Sequence, residues 1–233
     1  MTLSVIVPTF QEEAGIAATL GAVRRLGADV EIVVVDAGST DHTVDIAAAH
    51  GARVVNATER GRSPQMNQGA AETSGDVLLF LHADTILPSD ARTAVADVLA
   101  DPAVAGGCFR LRFDHDHPVL RVSSFLSNFG YRLFHYGDSA YFVRRSVFRE
   151  LRGFRPMSFL EDIDFWLRLN RRHKVVIAKT SVLTSARRFR EVGVTRQQAL
   201  GMIIVLLYML GVEAPRLAQL YRRYTRSRTP EVT

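Results

Sequence analysis

Acidic side chains stand at the ends of two apolar runs and at the head of a third, amphipathic stretch, and each position has a chemical use. Val33-Val34-Val35 leads directly into Asp36-Ala37-Gly38-Ser39-Thr40-Asp41. A carboxylate at a strand tip can accept from the N–H edge of a base or from ribose hydroxyls, while Gly38 permits a tight turn and Ser39 or Thr40 caps the next helix. Plain turn-and-cap chemistry is the competing reading. Val77-Leu78-Leu79-Phe80-Leu81 leads into His82-Ala83-Asp84. At the carboxyl edge of a central strand, Asp84 can hold a divalent cation that neutralises a departing diphosphate, with His82 as a second ligand, a water-mediated ligand or a neighbour. Glu161-Asp162-Ile163-Asp164 opens the stretch that contains Phe165, Trp166 and Leu169. Three carboxylates in four positions repel one another unless something uses them, and an Asp at a helix start beside a cleft can accept a proton from a hydroxyl. First-turn complementarity to the helix dipole competes with that use.

Pro8-Thr9-Phe10-Gln11-Glu12-Glu13 follows the first apolar run and offers carboxylates with no glycine until Gly15. A dinucleotide fold needs glycines there so that a pyrophosphate can approach the backbone, and this loop excludes one. Arginines able to fork onto phosphate complete the set: Arg60 and Arg62, and Arg187, Arg188 and Arg190 within Ser185-Ala186-Arg187-Arg188-Phe189-Arg190. Solvated surface arginine is the alternative for each. His115-Asp116-His117 has the look of a metal pair, but it precedes Pro118 in a polar turn and reads as loop.

Elements that would position these groups follow from the hydrophobic period. Strands are predicted at Leu3–Val7, Glu31–Val35, Arg53–Asn56 and Val77–Leu81, with amphipathic helices at Glu12–Leu26, Asp41–His50, Ser63–Thr73 and Ser89–Leu99. Such alternation marks βαβ units around a mostly parallel sheet, where ligands bind outside the carboxyl ends of the strands. After Pro102 the rhythm changes: a long strand at Val104–Phe113, a helix at Val119–Phe134, a short strand at Ala140–Val143, a helix at Leu160–Arg171, and strands at Val175–Ala178 and Val182–Thr184. The tail from Thr195 to Tyr224 reads as two helices broken near Pro215, followed by a polar end after Thr225.

Bulk composition sets bounds. A chain of 233 residues that is 47% hydrophobic and 23% charged can bury a sizeable core. Cys108 is the single cysteine, which excludes an internal disulfide framework and fits a reducing cytoplasm. The sequence starts on an apolar strand with no signal-peptide pattern, so secretion is not expected. Net charge is +5, and Arg196, Arg216, Arg222, Arg223, Arg226 and Arg228 crowd the tail beside the arginines near 187. That end seeks anions. The apolar run Met202–Val212 is shorter than the roughly 20 residues needed to cross a bilayer. It reads as a helix packed on the rest of the chain, or as a surface for a lipid-linked acceptor or a second subunit.

Taken together, Val5-Ile6-Val7-Pro8-Thr9-Phe10-Gln11-Glu12, Val33-Val34-Val35-Asp36-Ala37-Gly38-Ser39-Thr40-Asp41, the Asp84 loop and Glu161-Asp162 resemble the family 2 glycosyltransferases over most of residues 1–190. The resemblance implies an α/β fold of GT-A type, Mg²⁺ or Mn²⁺ as cofactor, and sugar transfer from a UDP- or GDP-type donor in one inverting displacement. It implies that Pro8, Thr9, Glu12 and Asp36 line the nucleoside site, that Asp84 holds the metal, and that Asp162 is the base with Glu161 beside it. Gly61-Arg62-Ser63-Pro64-Gln65-Met66-Asn67, Leu81-His82-Ala83-Asp84-Thr85, Gly137-Asp138 and Thr184-Ser185-Ala186-Arg187-Arg188-Phe189 resemble a narrower bacterial branch, the radical-SAM/selenodomain-associated transferases. By that likeness Arg62, Gln65, Asn67, His82 and Ala83 approach the donor, and Asp138, Arg187, Arg188 and Phe189 lie near the diphosphate and acceptor. His82 stands where many relatives carry the first Asp of an Asp-x-Asp. Ser185 and Phe189 replace the usual Gln and Trp of a Gln-x-x-Arg-Trp element, so processive polysaccharide synthases are a poor analogy.

The expected organisation is a catalytic unit over residues 1–190, with a nucleotide-binding half at about 1–100 and an acceptor half at about 101–190, and a basic, apolar helical tail over 191–233. Expected partners are a nucleotide-sugar donor and a small-molecule or lipid-linked acceptor, with no nucleic acid. The C-terminal helices would make peripheral membrane contact or a homodimer, at a cytoplasmic location that includes the inner face of the membrane. Two rivals stand beside this reading: a nucleotidyltransferase acting on a sugar phosphate, and a non-catalytic membrane-surface adaptor.

Overall fold

The computed structural model describes residues 1–127, 137–157 and 159–225. Its first part alternates β1 (Leu3–Thr9), α1 (Glu13–Arg24), β2 (Glu31–Asp36), α2 (Thr43–Ala49), β3 (Arg53–Asn56), α3 (Arg62–Ala71) and β4 (Val77–Phe80). Strands covered on both faces read as unbroken apolar runs, which is why these were legible. Every residue of β1 and β4 is buried. The pairings of β3 with β2, β2 with β1, and β1 with β4 are parallel, so their carboxyl ends share one edge, with Thr9 beside Asp36. Pro8 lies in a central strand, where the missing N–H would normally break a ladder. It is tolerated because β1 outlasts β4: their register stops at Ile6 and Phe80, and the chain beyond Leu81 turns away into the His82 loop.

The remaining elements are β5 (Thr85–Ile86), α4 (Ala91–Leu99), β6 (Val104–Phe113), α5 (Pro118–Leu126), a 3₁₀ turn (Gly137–Ser139), β7 (Tyr141–Arg144), α6 (Arg145–Glu150), α7 (Glu161–Arg172), β8 (Lys174–Thr184), α8 (Arg187–Val192), α9 (Val194–Met209) and α10 (Ala214–Thr225). One mixed, mostly parallel sheet runs β3-β2-β1-β4-β7-β6-β8-β5, with antiparallel pairing of β7 to both its neighbours and of β5 to β8. Side chains alternate across it: Val5 and Val7 pack with Leu20 and Val34 on one face, Ile6 with Met66 and Phe80 on the other.

Several expectations need correction. The two strands expected at Val175–Ala178 and Val182–Thr184 are the single strand β8, because pairing with β6 carries the polar Lys179-Thr180-Ser181 through a register shift. α5 ends at Leu126, and the rest of the helix expected to Phe134 falls outside the described residues, as do Arg226 and Arg228. β5, α6 and α8 are too short to print a period. The tail is two helices broken near Pro215, as expected: the break falls at Leu210–Glu213, and Pro215 sits in the first turn of α10, where a missing N–H costs nothing. A third apolar cluster joins α7 to the tail through Leu160, Ile163, Leu200, Ile204, Val205 and Leu217. Among the described residues, no helix is long and apolar enough to cross a membrane.

Candidate active site

A cavity of about 390 Å³ opens where the loops after β1 and β4, the turn before β7 and the starts of α7 and α8 meet. Pro8, Thr9, Glu12, Arg62, Gln65, His82, Ala83, Asp84, Asp138, Asp162, Arg187, Arg188 and Phe189 line it, so residues far apart in sequence share one space. Asp36, Asn67 and Glu161 lie outside the lining. Backbone contacts fix the loops: Ser185 N donates to Asp84 O at 3.2 Å, and Ala186 N donates to Asp114 Oδ1 at 2.7 Å. Thus the residue after β8 is tied to the Asp84 loop, and the head of α8 to the turn after β6.

Charges of both signs converge there. Burial pushes the Asp84 carboxyl above its ordinary value and neighbouring Asp138 adds to the rise, against the pull of His82, Arg187 and Arg188. His82 Nδ1 stands 2.9 Å from Asp138 Oδ1. Burial would lower the imidazole, but Asp138 outweighs it and the ring is held above its ordinary value; Asp138 is correspondingly lowered by His82 despite its own burial. Burial also raises Glu12, whose carboxylate accepts from Arg187 Nη2 at 3.4 and 3.5 Å.

This donor set fits a divalent cation supplied with a phosphorylated ligand. A buried carboxylate whose ionisation is disfavoured gains from a nearby cation. Among the described residues no group of three His, Cys, Asp or Glu side chains converges on one point. Asp84, with at most His82 or Asp138, therefore offers one or two ligands, and Mg²⁺-type sites of that kind are completed by phosphate oxygens and water.

At the start of α7 the backbone is unusual. Leu160 adopts φ 65°, ψ 20°, and Gln11 and Ala140 on the cavity loops also have positive φ, at 55° and 48°. A bulky residue in the left-handed region costs on the order of 1–3 kcal/mol and persists where the surroundings dictate it, typically at functional sites. Just beyond it Asp162 lines the cavity, while Glu161, one helical step away, points inward. Glu161 is 2% exposed in its side chain, and Arg62 Nε lies 2.8 Å from its Oε1 at an angle outside hydrogen-bond geometry, so charge rather than direction holds the pair. Burial raises the Glu161 carboxyl, Arg62 opposes the rise, and Asp162 adds to it. Asp164 is buried beneath Arg155, Arg168 and Tyr208, whose hydroxyl donates at 3.1 Å.

Other expected residues have structural tasks in plain view. Asp36 accepts from Gly38 N, Ser39 N, Ser39 Oγ and Thr9 Oγ1. Gln65 donates through Nε2 to Thr9 O and Val35 O, stitching α3 to the strand tips although one side of it borders the cavity. Asn67 clamps Phe154, donating to its carbonyl at 2.8 Å and accepting from its N–H at 2.9 Å. In the polar loop, His117 caps α5 and Asp116 pairs with Arg121. What the sequence missed comes from afar: Phe113, whose ring meets the expected Phe189 at 5.1 Å, the ring pair Phe159–Tyr221 at 5.0 Å, and Gln197 and Gln198 of α9 also line the cavity. No motif flags them, because the tail meets α7 only through tertiary packing.

The fold is an α/β architecture of GT-A type, with the cavity at the carboxyl edge of its parallel strands. Residues 4–161 match the family model described as glycosyl transferase family 2, and the chain belongs to that family. Glucosyl-3-phosphoglycerate synthase of Mycobacterium tuberculosis is 36% identical over 97 residues, 37% of this chain and 30% of the relative. A PGL/p-HBAD biosynthesis glycosyltransferase of Mycobacterium bovis is 40% identical over 91 residues, 36% of each chain. The chain thus spans roughly a third of the length of the curated relatives it matches. Among solved structures, the M. tuberculosis synthase in complex with Mn²⁺, UDP and glucosyl-3-phosphoglycerate superposes with a TM-score of 0.63 at 23% identity, covering 91% of this chain and 81% of that one. S. aureus TarS superposes with a TM-score of 0.66 at 16% identity, covering 96% and 70%.

Proposed function

We propose that this chain is a metal-dependent, inverting glycosyltransferase that moves a sugar from a UDP- or GDP-type donor to a hydroxyl-bearing acceptor, either a small molecule or lipid-linked. The observation that carries the reading is that Asp84 and Asp162 line one cavity together with Arg62, Arg187 and Arg188. Pro8, Thr9 and Glu12 at the strand tips, with Asp36 shaping the turn beneath them, suit the nucleoside. Arg187 and Arg188 suit the diphosphate through guanidinium–phosphate contacts. Asp162 accepts the proton of the acceptor hydroxyl as its oxygen bonds to the anomeric carbon, and the diphosphate departs on the other side of that carbon, which inverts it. Mg²⁺ or Mn²⁺ at Asp84 would neutralise the charge that builds on the leaving oxygen. The complex of the solved mycobacterial synthase with Mn²⁺ and UDP supports this assignment by likeness of fold. Glu161, paired to Arg62, positions that arginine rather than meeting substrate, while Gln65 and Asn67 support the donor site from beneath.

Residues 1–190 act as the catalytic unit and the helices after 191 as an extension that walls its cleft. The motif strings at Gly61–Asn67 and Thr184–Phe189 support membership of the radical-SAM/selenodomain-associated branch. The single buried Cys108 fits a cytoplasmic setting. Family membership supports neither the nucleotidyltransferase nor the adaptor reading. Replacing Asp162 by Asn keeps shape and removes basicity, so transfer should fall by about 10²–10⁴-fold with donor binding unchanged. Full transfer activity in D162N would remove Asp162 from the base role.

A further inference from the structure

We propose that the outward face of α9, rimmed by arginine, docks this protein on an anionic lipid surface. From Ala199 onward α9 is apolar around its whole circumference. Leu200, Ile204 and Val205 are buried, yet Ile203, Leu206 and Leu210 stand 51%, 50% and 73% exposed, with Met202 and Met209 at 42%. A helix apolar on all sides is normally covered on all sides, and a contiguous exposed apolar patch marks an interaction site. Val122 and Phe125 of α5, which packs on α9, extend the patch at 57% and 60% exposure.

Charge decides what covers it. Arg196 precedes Ile203 by one heptad and Leu210 by two, so all three share a helical face. The Arg196 guanidinium donates to Tyr224 O at 2.6 Å, and Gln197 Nε2 donates to Tyr221 Oη at 2.9 Å. These contacts bring the end of α10, with exposed Arg222 and Arg223, against the start of α9. Arg196, Arg222 and Arg223 are thus the cations at this face, while Arg187 and Arg188 line the cavity and Arg190 and Arg216 pair with Asp114 and Glu213. Tyr224, 49% exposed at that same end, is a residue type favoured at the headgroup level. Apolar side chains entering the acyl boundary beneath arginines that meet anionic headgroups is the arrangement of an interfacial helix. A second copy would instead bring two like-charged rims together, which opposes self-association through this face.

The opposite side of α9, at Gln198, Gly201 and Ile204, lines the catalytic cavity. Docking would therefore set the cleft one helix diameter, about 10 Å, from the lipid surface, which suits an acceptor hydroxyl carried on a membrane lipid. That consequence rests on the glycosyl-transfer reading; the docking does not.

Sedimentation of the full chain with phosphatidylcholine vesicles, with and without phosphatidylglycerol, tests it. Binding is expected on the anionic vesicles at low salt and at least about 10-fold weaker on neutral ones. R222A/R223A should weaken it by roughly 30-fold, at about fivefold per arginine, and L206E should abolish it. Both variants should keep the thermal shift produced by UDP with Mn²⁺, which reports an intact fold and donor site. Failure of the wild type to bind anionic vesicles, or undiminished binding by L206E, overturns the proposal. So does a stable dimer by light scattering that L206E splits. Absence of any UDP–Mn²⁺ shift in a wild type that does bind vesicles would strike the glycosyl-transfer reading and leave the docking standing.

Discussion

Arg62→Ala should destabilise the fold by more than a surface arginine can, and the reason lies in Glu161. Its side chain is 2% exposed, Arg62 is its ion-pair partner at 2.8 Å, and Asp162 stands next to it in the chain. Removing one member of a buried pair leaves a charge without compensation and costs about 3–5 kcal/mol. Because Arg62 keeps 38% exposure, water already screens part of the pair, and about 2–3 kcal/mol is the expected loss. For a chain of this size that is roughly 4–12 °C in Tm. R62A/E161Q removes the stranded charge and should recover most of the loss. The pH dependence has a definite sign. The folded Glu161 carboxyl sits above its ordinary value, through burial first and Asp162 beside it. Between the ordinary and the raised value the folded protein holds more protons than the unfolded chain, so stability falls as pH rises through that window. R62A removes the guanidinium that opposes the rise, so its deficit should be smallest below the ordinary carboxylate range and grow with pH. Urea unfolding of the four proteins of the cycle at several pH values measures both effects. A deficit under about 0.5 kcal/mol that is flat with pH, within the range of a surface substitution, would refute the buried-pair reasoning.

Two further substitutions separate support from contact. Asn67→Ala strips two hydrogen bonds from the Phe154 backbone and should cost about 2–3 kcal/mol in urea unfolding while the affinity for UDP, by calorimetry, stays within about twofold. Gly69→Ala would thrust a Cβ into Ile6 Cγ2 and within 3.1 Å of Val35 Cγ2, both in the core, and should lower stability by about 1–3 kcal/mol in the same assay.

The parallel half of the sheet was legible because its strands are buried on both faces and written as apolar runs, so the tips carrying Asp36 and Asp84 could be placed from period alone. Asp162 was legible as the second of three carboxylates at a helix start. Its separation from Glu161 was not, because the helical step of about 100° makes neighbours diverge without saying which of them meets the cavity. Resemblance alone places Gln65 and Asn67 near the donor; Gln65 borders the cavity while its amide serves Thr9 O and Val35 O, and Asn67 lies outside the lining and holds the Phe154 backbone. β8 read as two strands since the polar Lys179-Thr180-Ser181 mimics a turn, and only its pairing with β6 shows otherwise. Phe113, Phe159, Tyr221 and the α9 wall could not be read at all, since the contacts that bring them to the cavity join segments distant in sequence.

Calorimetric titration of UDP with and without Mn²⁺, on the wild type and Asp84→Ala, tests most directly the claim that Asp84 holds a cation at the diphosphate. The wild type should bind UDP at least about 10-fold more tightly with Mn²⁺ than without, a difference of about 1.4 kcal/mol, and D84A should bind equally with and without the metal. Metal-enhanced binding that survives undiminished in D84A would contradict the account.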